Sequence, residues 1–266
     1  PDLGRARRRL DSVGRYVEFA KSTLPGRTRL GGLKLVVDCA NGAAYRTAPD
    51  TLYELGAEIV PLAVSPDGLN INENCGAVHP QVMAAAVVAH GADAGICLDG
   101  DADRLIMADE TGKIIDGDQI LGCLALAMQE RGTLANNAVV GTVMTNRGLE
   151  ARLGKAGIDL HRVAVGDRYI LEKMRQDGLN LGGEPSGHML MTDFARSGDG
   201  LLTALQMLTL LKTSGKKAST LFNSFLPNPQ RLENLRGIDP VILQDKKLQS
   251  DLANIETNLN GKGRVL

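Results

Sequence analysis

Asp99-Gly100-Asp101-Ala102-Asp103-Arg104 places three carboxylates at every second position and closes them with an arginine. The loop follows directly on the apolar run Ala94 to Leu98. Such a run reads as a buried strand, so the aspartates fall at its carboxyl end, where open α/β sheets place their sites. Carboxylates crowded this closely repel one another, and a fold keeps them ionised only with a cation or strong donors nearby. A hard divalent ion held through oxygen is the simplest compensation. A solvated acidic turn is the plain alternative, because Asp and Gly are common turn residues. An EF-hand would use Asp99, Asp101, Asp103 and, at its twelfth place, Glu110. It requires Gly where Arg104 stands, and it lacks an entering helix. A phosphatase with an aspartyl nucleophile also opens with Asp-x-Asp after a strand, and these residues alone do not separate nucleophile from ligand. Arg104 argues for phosphate, because a guanidinium fork beside a metal shares phosphate oxygens with it.

Two further loops carry polar chemistry. Gly182-Gly183-Glu184-Pro185-Ser186-Gly187-His188 packs a carboxylate, a hydroxyl and an imidazole between glycines. That set suits vicinal hydroxyls on one polyol, although a strand-to-strand turn with an incidental histidine has the same appearance. Gly166-Asp167-Arg168 precedes a helical stretch from Tyr169 to Met174, and Asp167 serves there equally as helix cap or ligand-binding residue.

Strand and helix signals alternate so as to carry these loops. Leu33 to Asp38 reads as a strand ending in the turn Cys39 to Gly42, Ala48 to Leu55 as a helix, and Glu58 to Leu62 as a strand, the order of a βαβ unit. Pro80 opens a helix over Gln81 to Ala89, which Gly91 stops before the aspartate strand. The second half repeats the grammar. Ala138 to Met144 is a strand, a helix runs through Leu153 and breaks at Gly154 to Gly157, and Ile158 to Val165 is the next strand. Laid on the first half, it matches strand to strand and Asn41-Gly42 to the Asn146 to Gly148 turn, which suggests two related α/β units in tandem. The boundary falls near Asp109 to Asp118, with Thr111-Gly112 as a hairpin turn, and apolar helices follow at Ile120 to Gln129 and Leu201 to Leu211.

Length and charge bound the remaining possibilities. The chain has 266 residues, enough for two ordinary domains, and 30 basic against 31 acidic side chains leave no global field for nucleic acid or anionic membrane. The local cluster Arg5, Arg7, Arg8 and Arg9 reads as the wet face of a helix, above Leu10, Val13, Val17 and Ala20 at helical spacing. Trp is absent and aromatics are 3 % of residues, which disfavours base stacking. Cys39, Cys75, Cys97 and Cys123 form no Cys-x-x-Cys pair and are expected to be reduced thiols of a cytoplasmic protein. No stretch is long and apolar enough to span a bilayer, and no signal peptide is evident. The opening Pro1, and the turn Gly261 to Leu266 that starts a strand, suggest part of something longer.

Taken together, the three loops resemble those of the α-D-phosphohexomutases. In that family an Asp-Gly-Asp-x-Asp-Arg loop holds magnesium and a Gly-Glu-x-Ser-Gly-His loop binds the sugar; here they stand at Asp99 to Arg104 and Gly183 to His188. Val165 to Tyr169 resembles the family's third-domain loop near the substrate, and Pro185 is closer to the glucosamine branch than to the mannose/glucose branch. The resemblance implies two tandem α/β domains with mixed sheets sandwiched by helices, spanning residues 1–110 and 111–226 as second and third domains, with 227–266 as an incomplete start of the fourth.

It further implies Asp99, Asp101 and Asp103 as ligands of Mg2+ and Arg104 as a catalytic group. Glu184, Ser186, His188, Gly166, Asp167 and Arg168 would bind a phosphosugar, glucosamine phosphate by this branch, and His188 would also touch phosphate or move a proton. The family's phosphoserine loop, Thr-Ala-Ser-His-Asn-Pro, and its phosphate-anchoring Arg-x-Ser-Gly-Thr loop are not in this sequence. The chain by itself is therefore expected to be inactive. The remaining alternatives are a phosphomannomutase/phosphoglucomutase and a non-catalytic metal- and sugar-binding module.

Overall fold

Lys34–Asp38 (β1) and Ala94–Leu98 (β3) are the buried centre of a five-stranded sheet with order β2-β1-β3-β4-β5, where β2 is Glu58–Leu62, β4 Leu105–Asp109 and β5 Ile114–Ile115. The computed structural model describes Gly4, Arg9, residues 11–231, Glu233, Gly237, residues 239–260 and residues 263–265. The basic side chains Arg5, Arg7 and Arg8, with Leu10, and the ends of the closing turn, Gly261, Lys262 and Leu266, lie outside the described residues. β1 runs parallel to β2 and β3, with Leu35 opposite Ile59 and Ala94. Pro61 is tolerated because β2 is an edge strand, where a missing N–H breaks no interior ladder.

The second sheet repeats this topology. Its order is β7-β6-β8-β9, from Ala138–Thr142 (β6), Asp159–Val163 (β7), Leu181–Gly183 (β8) and Met189–Met191 (β9). β6 is parallel to β7 and β8, as β1 is to β2 and β3, and each sheet then turns antiparallel through a hairpin. Those hairpins are equivalent in position. Leu98 opposite Leu105 closes one around Asp99 to Arg104, and Gly183 opposite Met189 closes the other around Glu184 to His188. The mixed α/β architecture expected from the sequence is therefore present, with the two polar loops at matching places.

Helices cover the sheets: Ser12–Ser22 (α1), Thr47–Glu54 (α2), Pro80–His90 (α3), Gly117–Glu130 (α4), Arg147–Lys155 (α5), Asp167–Asp177 (α6), Gly200–Ser214 (α7) and the short Ala218–Leu221 (α8). α7 is apolar nearly all round, as a helix buried on every side must be. It touches β3 and β4 of the first sheet, β9 of the second, and α1 and α4. Leu201, Leu202, Leu205, Leu208 and Leu211 are all buried on it, and burying each contributes about 1.5–3 kcal/mol. One continuous core thus joins the sheets within the unit Pro1–Asn228. The second unit, Pro229–Leu266, contains a 3-10 turn at Pro240–Gln244 and helix Lys246–Leu259 (α9), capped by the Asp245 carboxylate on the Leu248 N–H at 2.8 Å.

Several boundaries differ from the sequence reading, and three of them have a physical reason. α5 continues through Gly154 to Lys155, because a glycine costs a helix only about 1 kcal/mol when packing holds its other face. β7 ends at Val163 rather than Val165, where its partner β6 ends at Thr142. Asp167 is not the cap of α6; Gly166 holds that position and Asp167 opens the helix.

Asp118, in the first turn of α4, is a buried carboxyl that the sequence does not advertise. Burial pushes it up to about 7 and the Asp116 carboxylate adds to this, against the Asn146 N–H, which donates to Oδ2 at 2.7 Å, and the nearby Arg162. Its other oxygen has no hydrogen-bond partner. A carboxyl whose folded-state pKa exceeds its unfolded value binds its proton more tightly when folded, so stability falls as pH rises toward 7. Asp118→Asn is expected to remove a penalty of roughly 4 kcal/mol at most above pH 7, and little at pH 4. Urea unfolding at the two pH values checks this, and an unchanged pH dependence in the variant would contradict it.

Candidate functional site

The hairpin between β3 and β4 folds its aspartates onto one cradle. One oxygen from each of Asp99, Asp101 and Asp103 lies within 4.8 Å of the other two, with Asp99 buried, Asp103 half-buried and Asp101 exposed. The Asp99 carbonyl accepts from the Ala102 N–H at 3.1 Å and its carboxylate from the Arg104 N–H at 3.1 Å. This tight closure puts Ala102 in the left-handed region at φ 62°. Below it, the buried Asp38 carboxylate accepts from the Ala40 and Gly76 N–H groups at 2.9 and 3.0 Å, and Ala43 N–H donates to the Gly100 carbonyl at 2.8 Å. The loops after β1 and before α3 thereby hold the cradle from underneath.

Electrostatics of the triad call for a cation. Burial raises the Asp99 carboxyl above its ordinary range, and the Asp103 and Asp101 charges raise it further, against the Arg104 N–H and guanidinium. Arg104 Nε stands 3.6 Å from Asp99 Oδ2 and 3.8 Å from Asp103 Oδ1, too far for hydrogen bonds. Asp103 Oδ1 is buried without a hydrogen-bond partner. An all-oxygen donor set with an orphaned carboxylate oxygen fits a hard divalent ion, which takes such ligands at 2.0–2.6 Å after small side-chain rotations. Among the described residues this is the one group of His, Cys, Asp or Glu arranged for a metal. Glu110, the twelfth EF-hand place, is carried to the far end of β4, where it accepts from the Ser219 N–H at 2.8 Å and from its hydroxyl.

The second hairpin is bonded directly to the first. Leu105 N–H donates to the Gly187 carbonyl at 3.0 Å, Arg104 and His188 form an antiparallel bridge, and His188 Nδ1 lies 3.2 Å from Asp103 Oδ2. Gly187 has φ 95°, and a Cβ there would overlap the Leu105 carbonyl, so this junction requires glycine. Across the loop, Gly117 N–H donates to the Pro185 carbonyl at 3.1 Å and fixes the loop to α4.

Glu184 links this hairpin to α6. Its Oε1 accepts from the Gly166 N–H at 2.9 Å and its Oε2 from the Ser186 hydroxyl at 3.2 Å. A carboxylate is stabilised there by the positive end of the helix. Glu184 is half-buried and Ser186 exposed, so both retain faces toward solvent.

The structure therefore brings together Asp99, Asp101, Asp103, Arg104, Glu184, Ser186, His188 and the backbone of Gly166. It does not bring in the side chains of Asp167 and Arg168 by any bond to this group. Asp167 accepts from the Arg168 N–H at 2.6 Å, and Arg168, strongly exposed, pairs with Glu172 at 2.8 Å along its own helix. His188 is 7 % exposed and sits behind Asp103, with Nε2 buried and without a partner. Sequence reasoning missed Asp38, which looks like the last residue of an ordinary strand, and Gly198-Asp199-Gly200, which looks like a loop before α7. A Gly-Asp-Gly preceding an apolar helix was the available signal for the second.

A cation cradle and a polar hairpin placed at equivalent positions of tandem α/β/α domains define a two-domain class built around one shared edge. Residues 14–112 match the model of phosphoglucomutase/phosphomannomutase alpha/beta/alpha domain II, and residues 116–228 that of domain III. The chain belongs to the phosphoglucomutase/phosphomannomutase family. It is 55 % identical over its whole length to the phosphoglucosamine mutase of Roseobacter denitrificans, covering 59 % of that protein, and 53 % identical to that of Cereibacter sphaeroides, covering 60 %. It thus spans about three-fifths of these relatives. A phosphoglucomutase/phosphomannomutase family protein of Burkholderia thailandensis superposes with a TM-score of 0.71 at 31 % identity, over 81 % of this chain and 46 % of that one. The N-acetylphosphoglucosamine mutase of Aspergillus fumigatus, solved with GlcNAc-6P and magnesium, shares the fold with a TM-score of 0.72 at 18 % identity, over 91 % of this chain and 61 % of that one. Among the described residues no helix is long and apolar enough to cross a membrane.

Proposed function

We propose that this chain is the metal- and sugar-binding centre of an enzyme that interconverts glucosamine 6-phosphate and glucosamine 1-phosphate. The observation that carries the reading is the direct bonding of the two hairpins, which puts the aspartate triad and the Glu184 loop on one edge. Residues 1–110 and 111–226 are assigned as second and third domains and 227–266 as the beginning of a fourth. The phosphoserine and the phosphate anchor belong to parts of a longer polypeptide, consistent with the share of its relatives that the chain spans. A cytoplasmic setting fits the four free, buried thiols.

In this reading Asp99, Asp101 and Asp103 hold Mg2+, which when bound neutralises charge on the transferring phosphoryl oxygens. Arg104, half exposed beside the triad, places its guanidinium on the same group and stabilises the charge that develops in transfer. Glu184 and Ser186 hold vicinal sugar hydroxyls. Because they grip hydroxyls rather than either phosphate, the sugar can present its 1- and 6-positions in turn. The phosphoserine gives its phosphoryl group to one end, and the serine takes back the phosphate at the other, so phosphate is conserved over the cycle. His188 is assigned a positioning role, holding Asp103 from behind, in place of the phosphate contact suggested by the sequence.

The test is an assay of a polypeptide of the relatives' full length with Mg2+, comparing glucosamine 6-phosphate with mannose 6-phosphate and glucose 6-phosphate. The glucosamine substrate is expected to have the highest kcat/KM. Faster turnover of mannose or glucose phosphate would overturn the assignment, as would mutase activity from the 266-residue chain alone.

A further inference from the structure

Tyr16 and Asp199 stand 183 residues apart in sequence and meet behind the aspartate loop. The Tyr16 hydroxyl, on α1, donates to the Asp199 carboxylate, 2.9 Å from one oxygen and 2.8 Å from the other. Asp199 in turn caps α7, accepting from the Leu202 N–H at 2.9 Å, while its carbonyl accepts from the Thr203 N–H and hydroxyl at 3.1 and 2.8 Å. Both side chains are partly buried, and burial with the adjoining carboxylate pushes the Tyr16 phenol well up, so it remains a donor.

The residues on either side of Asp199 touch the site. Gly200 N–H donates to the Ala102 carbonyl at 2.8 Å, and a Cβ on Gly200 would come within 2.5 Å of the Arg104 carbonyl. Gly198 packs close to the His188 ring, where a Cβ would overlap it. Ala102 is the residue held in the left-handed conformation between Asp101 and Asp103. A strained backbone of this kind persists only where surrounding contacts over-determine it, and the Gly200 bond supplies one such contact from outside the loop.

We propose that Tyr16 and Asp199 are positioning residues for the cation cradle, fixing the Gly198 to Gly200 strap that sets the spacing of Asp101 and Asp103. The inference rests on the reading of the triad as a cation site. It gives α1, which carries none of the loop motifs, a part in the geometry of that site, and it assigns the Gly-Asp-Gly segment a function beyond capping α7.

Titration of the 266-residue chain with Mn2+, followed by electron paramagnetic resonance of the free ion, tests it. Tyr16→Phe removes a single hydroxyl and is expected to weaken Mn2+ about 10- to 100-fold, the scale of one lost hydrogen bond to a charged group that supports a metal site. Asp199→Asn, which keeps an acceptor for the Leu202 N–H and the phenol, is expected to lie closer to wild type than Asp199→Ala. Ser219→Ala, which breaks the remote bond to Glu110, serves as the control for stability loss without a change at the site. In a full-length polypeptide the activity lost in Tyr16→Phe should return at saturating Mg2+, which a general loss of folded protein would not allow. Unchanged Mn2+ affinity in Tyr16→Phe, or a loss no greater than that of Ser219→Ala at equal melting temperature, overturns the proposal. Failure of the wild-type chain to bind Mn2+ at all would instead overturn the reading of the triad.

Discussion

Asp101→Ala is expected to abolish measurable divalent-cation binding while leaving the chain folded. The two consequences separate because Asp101 is the most exposed of the three carboxylates. Loss of an outer-shell partner of a metal ligand costs 10- to 100-fold in affinity, and loss of a ligand itself is expected to cost more than 100-fold. Stability responds differently. Surface substitutions away from packed features change it by about 0.5 kcal/mol or less, and removing one of three repelling charges relieves the pressure that Asp101 exerts on Asp99. The melting temperature of the cation-free variant is therefore expected to match or slightly exceed that of wild type. Mn2+ titration and thermal unfolding of the same preparation check both halves. Retained Mn2+ binding would contradict the cation reading, and a large fall in melting temperature would show that Asp101 has a structural role the geometry does not reveal.

Gly187→Ala is expected to produce a large loss of stability. Three costs add. An alanine at φ 95° is strained, a left-handed backbone costing an L-residue about 1–2 kcal/mol. Its Cβ would overlap the Leu105 backbone, which is paired in β4 and has little room to yield. Relief by moving the hairpins apart would sacrifice the Leu105 to Gly187 hydrogen bond, worth about 1 kcal/mol net, and the Arg104 to His188 bridge. A total above roughly 3 kcal/mol lowers the melting temperature of a domain pair this size by about 10 °C. Cation affinity should fall with it, because Asp103 loses the approach of His188. A variant that melts within 2 °C of wild type would show that the hairpins are not held together at this point.

The polar loops were legible in the sequence because their chemical groups are denser and more regularly spaced than a turn requires. Three aspartates with an arginine at a strand end point to a compensating cation, and a carboxylate, hydroxyl and imidazole between glycines point to a polar ligand. The strands were legible because β1, β3 and β6 are covered on both faces and so read as unbroken apolar runs. The tandem match of the halves also held, and it reached further than the aligned helices and strands. It extends to the two hairpins, whose sequences share no pattern and whose equivalence lies only in strand order.

What the sequence hid were long-range contacts between plain-looking residues. Asp38 seems the end of a strand until the Gly76 N–H, 38 positions on, is seen to bond its carboxylate. Asp167 satisfies every local rule for a cap, yet Gly166 takes that place because the Glu184 carboxylate already occupies the end of α6. His188 in a polar loop suggests a hand on the substrate, and the fold buries most of it beside Asp103 and Gly198, contacts that local spacing does not announce. Each case concerns which of several chemically suitable partners the fold delivers, and local spacing does not encode that.

One measurement bears most directly on the claim that both hairpins serve a single ligand. Glucosamine 1,6-bisphosphate is titrated into the Mn2+-loaded chain, and the relaxation of its two phosphorus nuclei is followed. One phosphate is expected to relax much faster in the presence of bound Mn2+, and this enhancement is expected to disappear in Glu184→Ala, which still binds the ion. Bound Mn2+ that leaves both phosphates unaffected, or an enhancement that survives in Glu184→Ala, would contradict the account.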